Sequence, residues 1–448
     1  MTDRDVALTV AGSDSGGGAG VQADLKTMEA LGVFATSAVT SVTAQNTRGV
    51  RAIDDVSTDV VEGQVRAVAE DFDVGAAKTG MLSSAAIIET VAATLEEFAF
   101  PLVVDPVMVA QSGDRLLAEA AEGVLREELL PRATLATPNL PEAEVLAGAS
   151  VEDEADVREA AASIAAGGPD AVLVTGGHLG DGELVDVLHA DGRTRTFRKP
   201  RLDTPNTHGS GCTVSAAVAA GLARGDDLPA AVERAEAFVE RAIRYGLSVG
   251  EGDGPVHHLA GLRNEAACRE TLAAVRETVR AFEERDVSRL VPEVGLNVAV
   301  ATPYAMDAGE VAAVEGRVHR TLDGVRAAGG PWLGASSHVA RLLLAARDRD
   351  PSVAAAVNVR LDDEVAAAAR DLWDAVEVDR TEEADADPTE GREGGTMSWT
   401  VERATAGRET VPDAVFDRGA VGKEAMCRVF ADSAAAVREK VLELDGAL

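Results

Sequence analysis

Lysine is nearly absent from this 448-residue chain, with five in all: Lys26, Lys78, Lys199, Lys423 and Lys440. The 42 cationic residues are therefore mostly arginine, and 76 Asp and Glu leave a formal charge of −34. No basic patch is visible of the kind that binding a nucleic-acid backbone requires, so nucleic acid is not an expected partner. The acids are scattered through both halves rather than gathered in a tail, which points to a halophilic protein in a salt-rich cytoplasm, where screening suppresses self-repulsion. Cysteine is scarce too. Cys212, Cys268 and Cys427 are far apart and odd in number, so they make neither a disulfide framework nor a CxxC metal pair. No run approaches the roughly 20 apolar residues of a membrane span. The start, MTDRDVALTV, lacks the basic-then-apolar layout of a signal peptide, so the expected location is cytoplasmic with no membrane partner. The phosphate loop GxxxxGK[ST] is missing, and AGSDSGGGAG does not satisfy GxGxxG in register. Any phosphate chemistry must use another cradle.

What is present is a globular composition, 46% hydrophobic and 26% charged, in a chain too long for one ordinary core. Two domains are expected, at 1–262 and 263–448. In the first, 6–10, 102–105, 134–137 and 171–174 read as short buried strands. Helical stretches lie between, at 21–31, 116–130 and 155–166. The alternation implies an α/β fold with a largely parallel sheet, whose ligands sit beyond the carboxyl ends of the strands. A helix over 265–282 places Leu272, Val275, Val279 and Phe282 at helical spacing, and a smaller α/β pattern begins at Gly295. The acidic stretch 380–395 lacks apolar periodicity and reads as a loop.

The residues after the strands carry the chemistry. His208-Gly209-Ser210-Gly211-Cys212-Thr213 runs into a helix, so converging backbone N–H groups and the helix dipole make an anion nest. Asp105 follows one strand, Asn139 and Glu142 follow another in the spacing NxxE, and Thr175 follows a third. Such acidic and amide groups suit the oxygen ligands of a Mg²⁺–ATP complex.

The ordered blocks AGSDSGGGAG-VQADLKT, TSVTAQNT, KTGML, VDPVM, TPNLPEA, VTGGH, TPNTHGSGCTVSAA and GPVHH resemble the hydroxymethylpyrimidine/phosphomethylpyrimidine kinases of the ribokinase-like superfamily, over residues 1 to about 260. The resemblance implies that Gly12, Asp24, Gln45 and Met81 line a pyrimidine pocket. It implies that Asn139 and Thr175 serve ATP, that Asp105 and Glu142 serve Mg²⁺ directly or through water, and that Gly209, Ser210 and Gly211 form the anion hole. Cys212 stands where the wider superfamily usually has an aspartate base. A thiol at a helix N-terminus has its pKa lowered, so Cys212 is expected to accept the alcohol proton; the competing reading is a small buried residue. Many members carry a lysine where Glu236 stands here, so another cation or Mg²⁺ must compensate, with Arg234 and Lys78 as candidates. Ribokinase-like enzymes often pair, which makes a homodimer a candidate assembly. Pyridoxal is the alternative substrate.

The C-terminal half sets retained cations, amides, hydroxyls and one acid beside its apolar runs: Asn297, Arg317, Ser336, Ser337, His338, Arg341, Asn358, Asp417, Arg418 and Lys423. In a chain this acidic they suggest an anionic ligand. The blocks VGLNVAVATPYA, EVAAVEGRV, GASSHVARLLLAA, AAVNVR, SWTVE and PDAVFDRGAVGKEAMCRV are similar to the archaeal-type thiamine-phosphate synthase domain, over about 290–445. That similarity implies condensation of the pyrimidine diphosphate with thiazole phosphate, releasing pyrophosphate, with Arg317 and His338 in catalysis; the other eight are candidates for substrate binding. The alternative is a domain of the same type acting as a non-catalytic ligand sensor. The expected partners are thus small molecules: hydroxymethylpyrimidine, its phosphates, thiazole phosphate and ATP.

Overall fold

The structure, a computed structural model, describes residues 4–110, 113–178, 182–379, 395–419 and 424–448. All counts and absences below are of these described residues. The chain forms two compact units, Met1–Gly261 and Leu262–Leu448.

The first unit contains β1 (Val6–Ala11), β2 (Phe34–Val39), β3 (Ser41–Asn46), β4 (Gly49–Asp55), β5 (Val74–Thr79), β6 (Leu102–Val104), β7 (Leu135–Ala136), β8 (Ala171–His178), β9 (Glu183–Ala190) and β10 (Arg193–Pro200). Eight strands form one sheet in the order β10-β9-β8-β7-β6-β5-β1-β2. From β8 to β2 the neighbours run parallel, and β9 and β10 extend the sheet antiparallel. Every residue of β1 is buried, as a strand covered on both faces requires. One face packs Leu8, Val10, Ile88, Val104 and Val172; the other packs Ala7, Val103, Leu135 and Leu173 against the helix Ser210–Ala223. That helix is Ala-rich, and at Gly221 a Cβ would sit 2.8 Å from the Ala231 Cβ, so small residues let the neighbouring helix Leu228–Arg244 lie close. β3 and β4 form a separate antiparallel hairpin beside the carboxyl end of β1.

The helices expected at 21–31 and 155–166 are present as Gly20–Ala30 and Glu154–Ala166, the second capped by Asp153. The stretch 116–130 is not one helix. It is a chain of short turns, Glu119–Ala121, Glu122–Val124, Leu125–Leu129 and Leu130–Arg132. Gly123 weakens its middle and Pro131 has no N–H to continue it.

The second unit contains β11 (Asn297–Ala301), β12 (Val311–Val314), β13 (Val318–Thr321), β14 (Gly324–Ala327), β15 (Pro331–Leu333), β16 (Ala355–Arg360), β17 (Ala375–Val378), β18 (Ala414–Asp417) and β19 (Met426–Ala431). Seven form a sheet in the order β15-β12-β11-β16-β19-β18-β17, antiparallel except for the β17–β18 pair, and β13–β14 is a hairpin. Alternation along β11 sends Val298 and Val300 into a core with Val275, Val279 and Phe282 of the helix Ala260–Arg285. Ala299 and Ala301 enter the opposite core with Leu342 and Leu343 of the helix Ser337–Arg349. Of the acidic stretch read as a loop, 380–394 lies outside the described residues, while Gly395 opens the helix Gly395–Ala404. No described helix is long and apolar enough to cross a membrane.

Candidate active sites

In the first unit the expected site residues gather at the carboxyl ends of the parallel strands. Gly209, at φ 81°, immediately precedes the helix Ser210–Ala223. A Cβ there would overlap the Gly18 carbonyl oxygen, so only glycine fits this turn. Ser210 is half-buried and Gly211 exposed, leaving the helix start open. The turn is tied down by a pair that sequence reasoning did not assign. His208 Nε2 lies 3.2 Å from Asp14 Oδ2, and the Asp14 carboxylate also accepts N–H groups from Gly16, Gly18 and Ala19. Burial pushes the Asp14 carboxyl up, but the His208 contact and these backbone donors outweigh it and hold it below the usual carboxylate range. Both residues sit inside Gly-rich blocks, where an acid and a histidine flanked by glycines were the available signal.

Gly12 and Met81 meet directly. The Gly12 N–H donates to the Met81 carbonyl, and a Cβ on Gly12 would stand 3.1 Å from Met81 Sδ. The half-buried Gln45 is held nearby, because its N–H donates to Ser15 Oγ while the Ser15 hydroxyl donates to the Gln45 carbonyl.

Asp24 departs from expectation. It is wholly buried, and its oxygens take the Lys78 ammonium at 2.9 and 3.0 Å and the Thr9 hydroxyl at 2.6 Å. It lines no open pocket and is instead the counter-ion of a buried lysine. Lys78 also faces Asp105 at 3.8 Å, and Ser215 donates to Asp105 at 3.1 Å. Burial works against the Lys78 charge, but Asp24, and Asp105 beside it, hold the ammonium above its ordinary pKa, so it stays charged.

At Cys212 the surroundings work against the expected thiolate. The residue is half-buried, and burial of its thiol, reinforced by the charges of Asp105 and Asp24, pushes it up to about 12 despite the opposing Lys78 charge and a backbone hydrogen bond with Gly20.

Asn139 and Glu142 form a capping box on the helix Leu140–Ala147, each side chain accepting the other's backbone N–H at 3.0 Å. Glu142 also accepts the Met108 N–H, and burial followed by repulsion from Asp105 pushes its carboxyl up to about 8. Asn139 bridges to Thr175, whose N–H donates to the Pro138 carbonyl. Two crowded carboxylates, Asp105 and Glu142, are chemically suited to a divalent cation that also takes phosphate oxygens. No group of three or more His, Cys, Asp or Glu among the described residues makes an all-protein metal site. Neither expected substitute for the lysine missing at 236 is free. Lys78 is consumed by Asp24, and Arg234 pairs with Asp226 on the surface. Lys199 is the cation that touches Glu236, and it also bonds Asp186 at 2.8 Å.

In the second unit Arg317 stands out. It follows Gly316 with both residues left-handed, at φ 71° and 70°, a conformation that strains a residue with a Cβ. Its guanidinium donates to the Val294 carbonyl at 2.6 Å and has no carboxylate partner among the described residues. Asn297 and Asn358 lie at the same end of the sheet but are braces. Asn297 exchanges hydrogen bonds with the backbone of Val314 and donates its N–H to Asn358, while Asn358 donates to the Gly295 carbonyl. They fix the backbone around the Arg317 turn.

Asp417 is buried against Arg428 at 3.1 Å, and the exposed Arg418 pairs with Glu377 and Asp363. Lys423 lies outside the described residues. Ser336 precedes the helix Ser337–Arg349 without capping it; Ser337 and His338 are exposed; Arg341 is half-buried, with an Nε that has no hydrogen-bond partner. The turn leading there sits beside Val311, the end of β12 away from Arg317, and no hydrogen bond or ion pair joins His338 to Arg317.

Comparison with known proteins supplies the family. Residues 14–257 match the family model described as phosphomethylpyrimidine kinase, and residues 274–443 match thiamine-phosphate synthase ThiN. The hydroxymethylpyrimidine/phosphomethylpyrimidine kinase of Streptomyces coelicolor is 53% identical over 251 residues, 56% of this chain and 93% of that protein. The thiamine biosynthesis bifunctional protein ThiED of Geobacter sulfurreducens is 49% identical over 257 residues, 57% of this chain and 52% of that protein. Among solved structures, the ADP complex of Bacillus subtilis pyridoxal kinase aligns with a TM-score of 0.54 at 38% identity, over 57% of this chain and 98% of that one. The Staphylococcus aureus pyridoxal kinase with AMP-PCP and pyridoxal aligns with a TM-score of 0.54 at 33% identity, over 58% and 96%. The chain belongs to the phosphomethylpyrimidine kinase family and carries a thiamine-phosphate synthase ThiN domain behind the kinase.

Proposed function

We propose that the first unit uses ATP to phosphorylate 4-amino-5-hydroxymethyl-2-methylpyrimidine and then its monophosphate, and that the second condenses the resulting diphosphate with thiazole phosphate. The products are thiamine phosphate and pyrophosphate. The observation that carries the kinase reading is the open helix start at Ser210–Gly211, which only glycine at 209 allows. An anion hole there stabilises the charge that builds on a transferring phosphoryl group. Gly12, Met81 and Gln45 supply an apolar wall and an amide edge for the aminopyrimidine. Asp105 and Glu142 are the groups that would hold Mg²⁺, which when bound neutralises phosphate charge. Asn139 and Thr175 border the ATP side.

With its thiol neutral, Cys212 acts by filling the floor of the anion hole, and transfer rests on positioning and charge. In the synthase unit Arg317, held in a strained turn and free of carboxylates, is the cation for a phosphate or departing pyrophosphate. His338 supplies the proton or hydrogen bond to the leaving group. The protein works in a salt-rich cytoplasm.

The likeness to pyridoxal kinases favours a second reading, pyridoxal as an additional alcohol substrate of the same pocket. The test is one incubation of the pure protein in molar KCl with hydroxymethylpyrimidine, thiazole phosphate and Mg²⁺–ATP, followed by mass spectrometry. Thiamine phosphate is the expected product. An arrest at the pyrimidine diphosphate would overturn the synthase assignment and turn attention to ligand sensing. Absence of any phosphorylated pyrimidine would overturn the kinase assignment, with pyridoxal the next alcohol to try.

A further inference from the structure

Beside the nucleotide side of the kinase site lies a cluster that the reaction as described does not use. Asp186 on β9 and Glu236 on the helix Leu228–Arg244 are 4% and 6% exposed, and both touch the ammonium of Lys199 on β10. Two buried carboxylates around one cation are an expensive arrangement unless something holds them together. Burial, then repulsion from Asp186, pushes the Glu236 carboxyl up to about 7, and Glu236 Oε1 receives no hydrogen bond.

The cluster has one outward connection. Asp186 Oδ1 accepts the N–H of Gly176 at 2.7 Å. Gly176 is exposed and left-handed, at φ 76°, and follows Thr175, the residue bridged to Asn139. The β8–β9 pairing shifts register between Val174 and Gly177. The strand therefore leaves the ladder at Thr175–Gly176, and the Asp186 carboxylate takes the Gly176 N–H there.

We propose that Asp186, braced by Lys199 and Glu236, is a positioning residue for nucleotide binding: it holds the Thr175–Gly176 turn in the shape that receives the nucleotide. Lys199 holds the Asp186 carboxylate at 2.8 Å and so keeps it aimed at Gly176. Glu236 fastens Lys199 from the neighbouring helix, so three elements converge on one backbone N–H. The proposal rests on the reading that Thr175 borders ATP.

The experiment measures binding of AMP-PCP with Mg²⁺ by calorimetry, together with KM and kcat, on the full chain. Asp186→Ala leaves the Gly176 N–H without its acceptor, and the expected result is a rise of about tenfold in Kd and in KM for ATP. KM for the pyrimidine stays within about twofold, because Gly12, Gln45 and Met81 are untouched. Asp186→Asn keeps an oxygen for Gly176 and restores most of the affinity. A merely structural role would lower the melting temperature and kcat and leave both nucleotide constants in place. Gly176→Ala gives an independent readout if Asp186→Ala fails to fold. Its Cβ meets nothing within 4 Å, so the substitution disturbs only the left-handed backbone, and it should weaken nucleotide binding likewise. Wild-type protein that binds no nucleotide sinks the kinase reading itself. Wild-type binding with an unchanged Kd in Asp186→Ala, or in Gly176→Ala, overturns the positioning role alone.

Discussion

Cys212 and His258 are both charge-poor where their types usually ionise, for different physical reasons. Cys212 is next to Lys78 and begins a helix, two features that favour a thiolate, yet burial and the carboxylates Asp105 and Asp24 outweigh them. A thiol pushed up to about 12 contributes volume, not basicity. Cys212→Ala should therefore keep kinase activity within about tenfold of wild type, since catalysis by positioning survives the loss of a weak base. A loss of a thousandfold or more in steady-state rate, with pyrimidine binding intact, would return Cys212 to the role of base. His258 is buried, its Nε2 has no hydrogen-bond partner, and burial followed by the charges of Lys26, His257 and His208 lowers its pKa to about 4. The unfolded chain takes up a proton near pH 6.5 that the folded chain refuses until about 4. The stabilisation is thus complete above 6.5 and lost as pH falls toward 4, by about 2 kcal/mol at pH 5 for this group. Urea midpoints of wild type and His258→Gln at pH 7.5 and 5 check this, and the variant should lose less on acidification.

At the scale of elements, four of the six parallel strands of the first unit, β1, β6, β7 and β8, were legible as short apolar runs followed by polar residues, whereas β2 and β5, FATSAV and VGAAKT, mix small and polar residues and were not. The turn at 208–213 was legible for the same reason, since glycines before a helix have few other uses. What could not be read was which polar residues point inward. Asp24 sits in a helix with Lys26 two positions on, and nothing local says that Lys78, on a strand far along the chain, takes both its oxygens. Asn297, Asn358 and Asp417 stand beside apolar runs and read as ligand groups, and what the sequence could not show is that each also pairs across the sheet. The antiparallel order of the second sheet was hidden as well, because alternation along a strand fixes faces and not neighbours. Arg317 is the exception that geometry strengthens. Its left-handed backbone separates two contributions. Arg317→Ala keeps the strain and removes the guanidinium, while Arg317→Gly removes both. Both variants should abolish thiamine phosphate formation and leave pyrimidine phosphorylation unchanged. Arg317→Gly should be the more stable of the two by about 1 kcal/mol. Normal synthase turnover in either variant would remove Arg317 from the reaction, and equal melting would remove the strain.

The whole molecule carries 34 more acidic than basic charges, the difference between 76 and 42. Its cations are shared out on the surface. Arg66 meets Glu62, Glu70 and Glu97; Arg198 meets Glu154 and Glu183; Arg418 meets Glu377 and Asp363. Salt acts on this surface in two opposite ways. It weakens exposed pairs, each worth about 0–1 kcal/mol. It also screens repulsion among the carboxylates left over, and that repulsion is felt throughout the folded surface. Because one cation so often faces two or three acids, the surplus dominates, and salt should stabilise. The screening length shrinks from about 10 Å at 0.1 M to about 3 Å at 1 M, so most of the gain falls in that interval. Melting in KCl from 0.1 to 2 M should show a midpoint rising steeply to about 1 M and then flattening. Sucrose at matched osmolality separates this from general exclusion effects, which do not depend on charge. A midpoint that falls with KCl, or rises equally in sucrose, would mean that the surface acids do not set the stability of the fold.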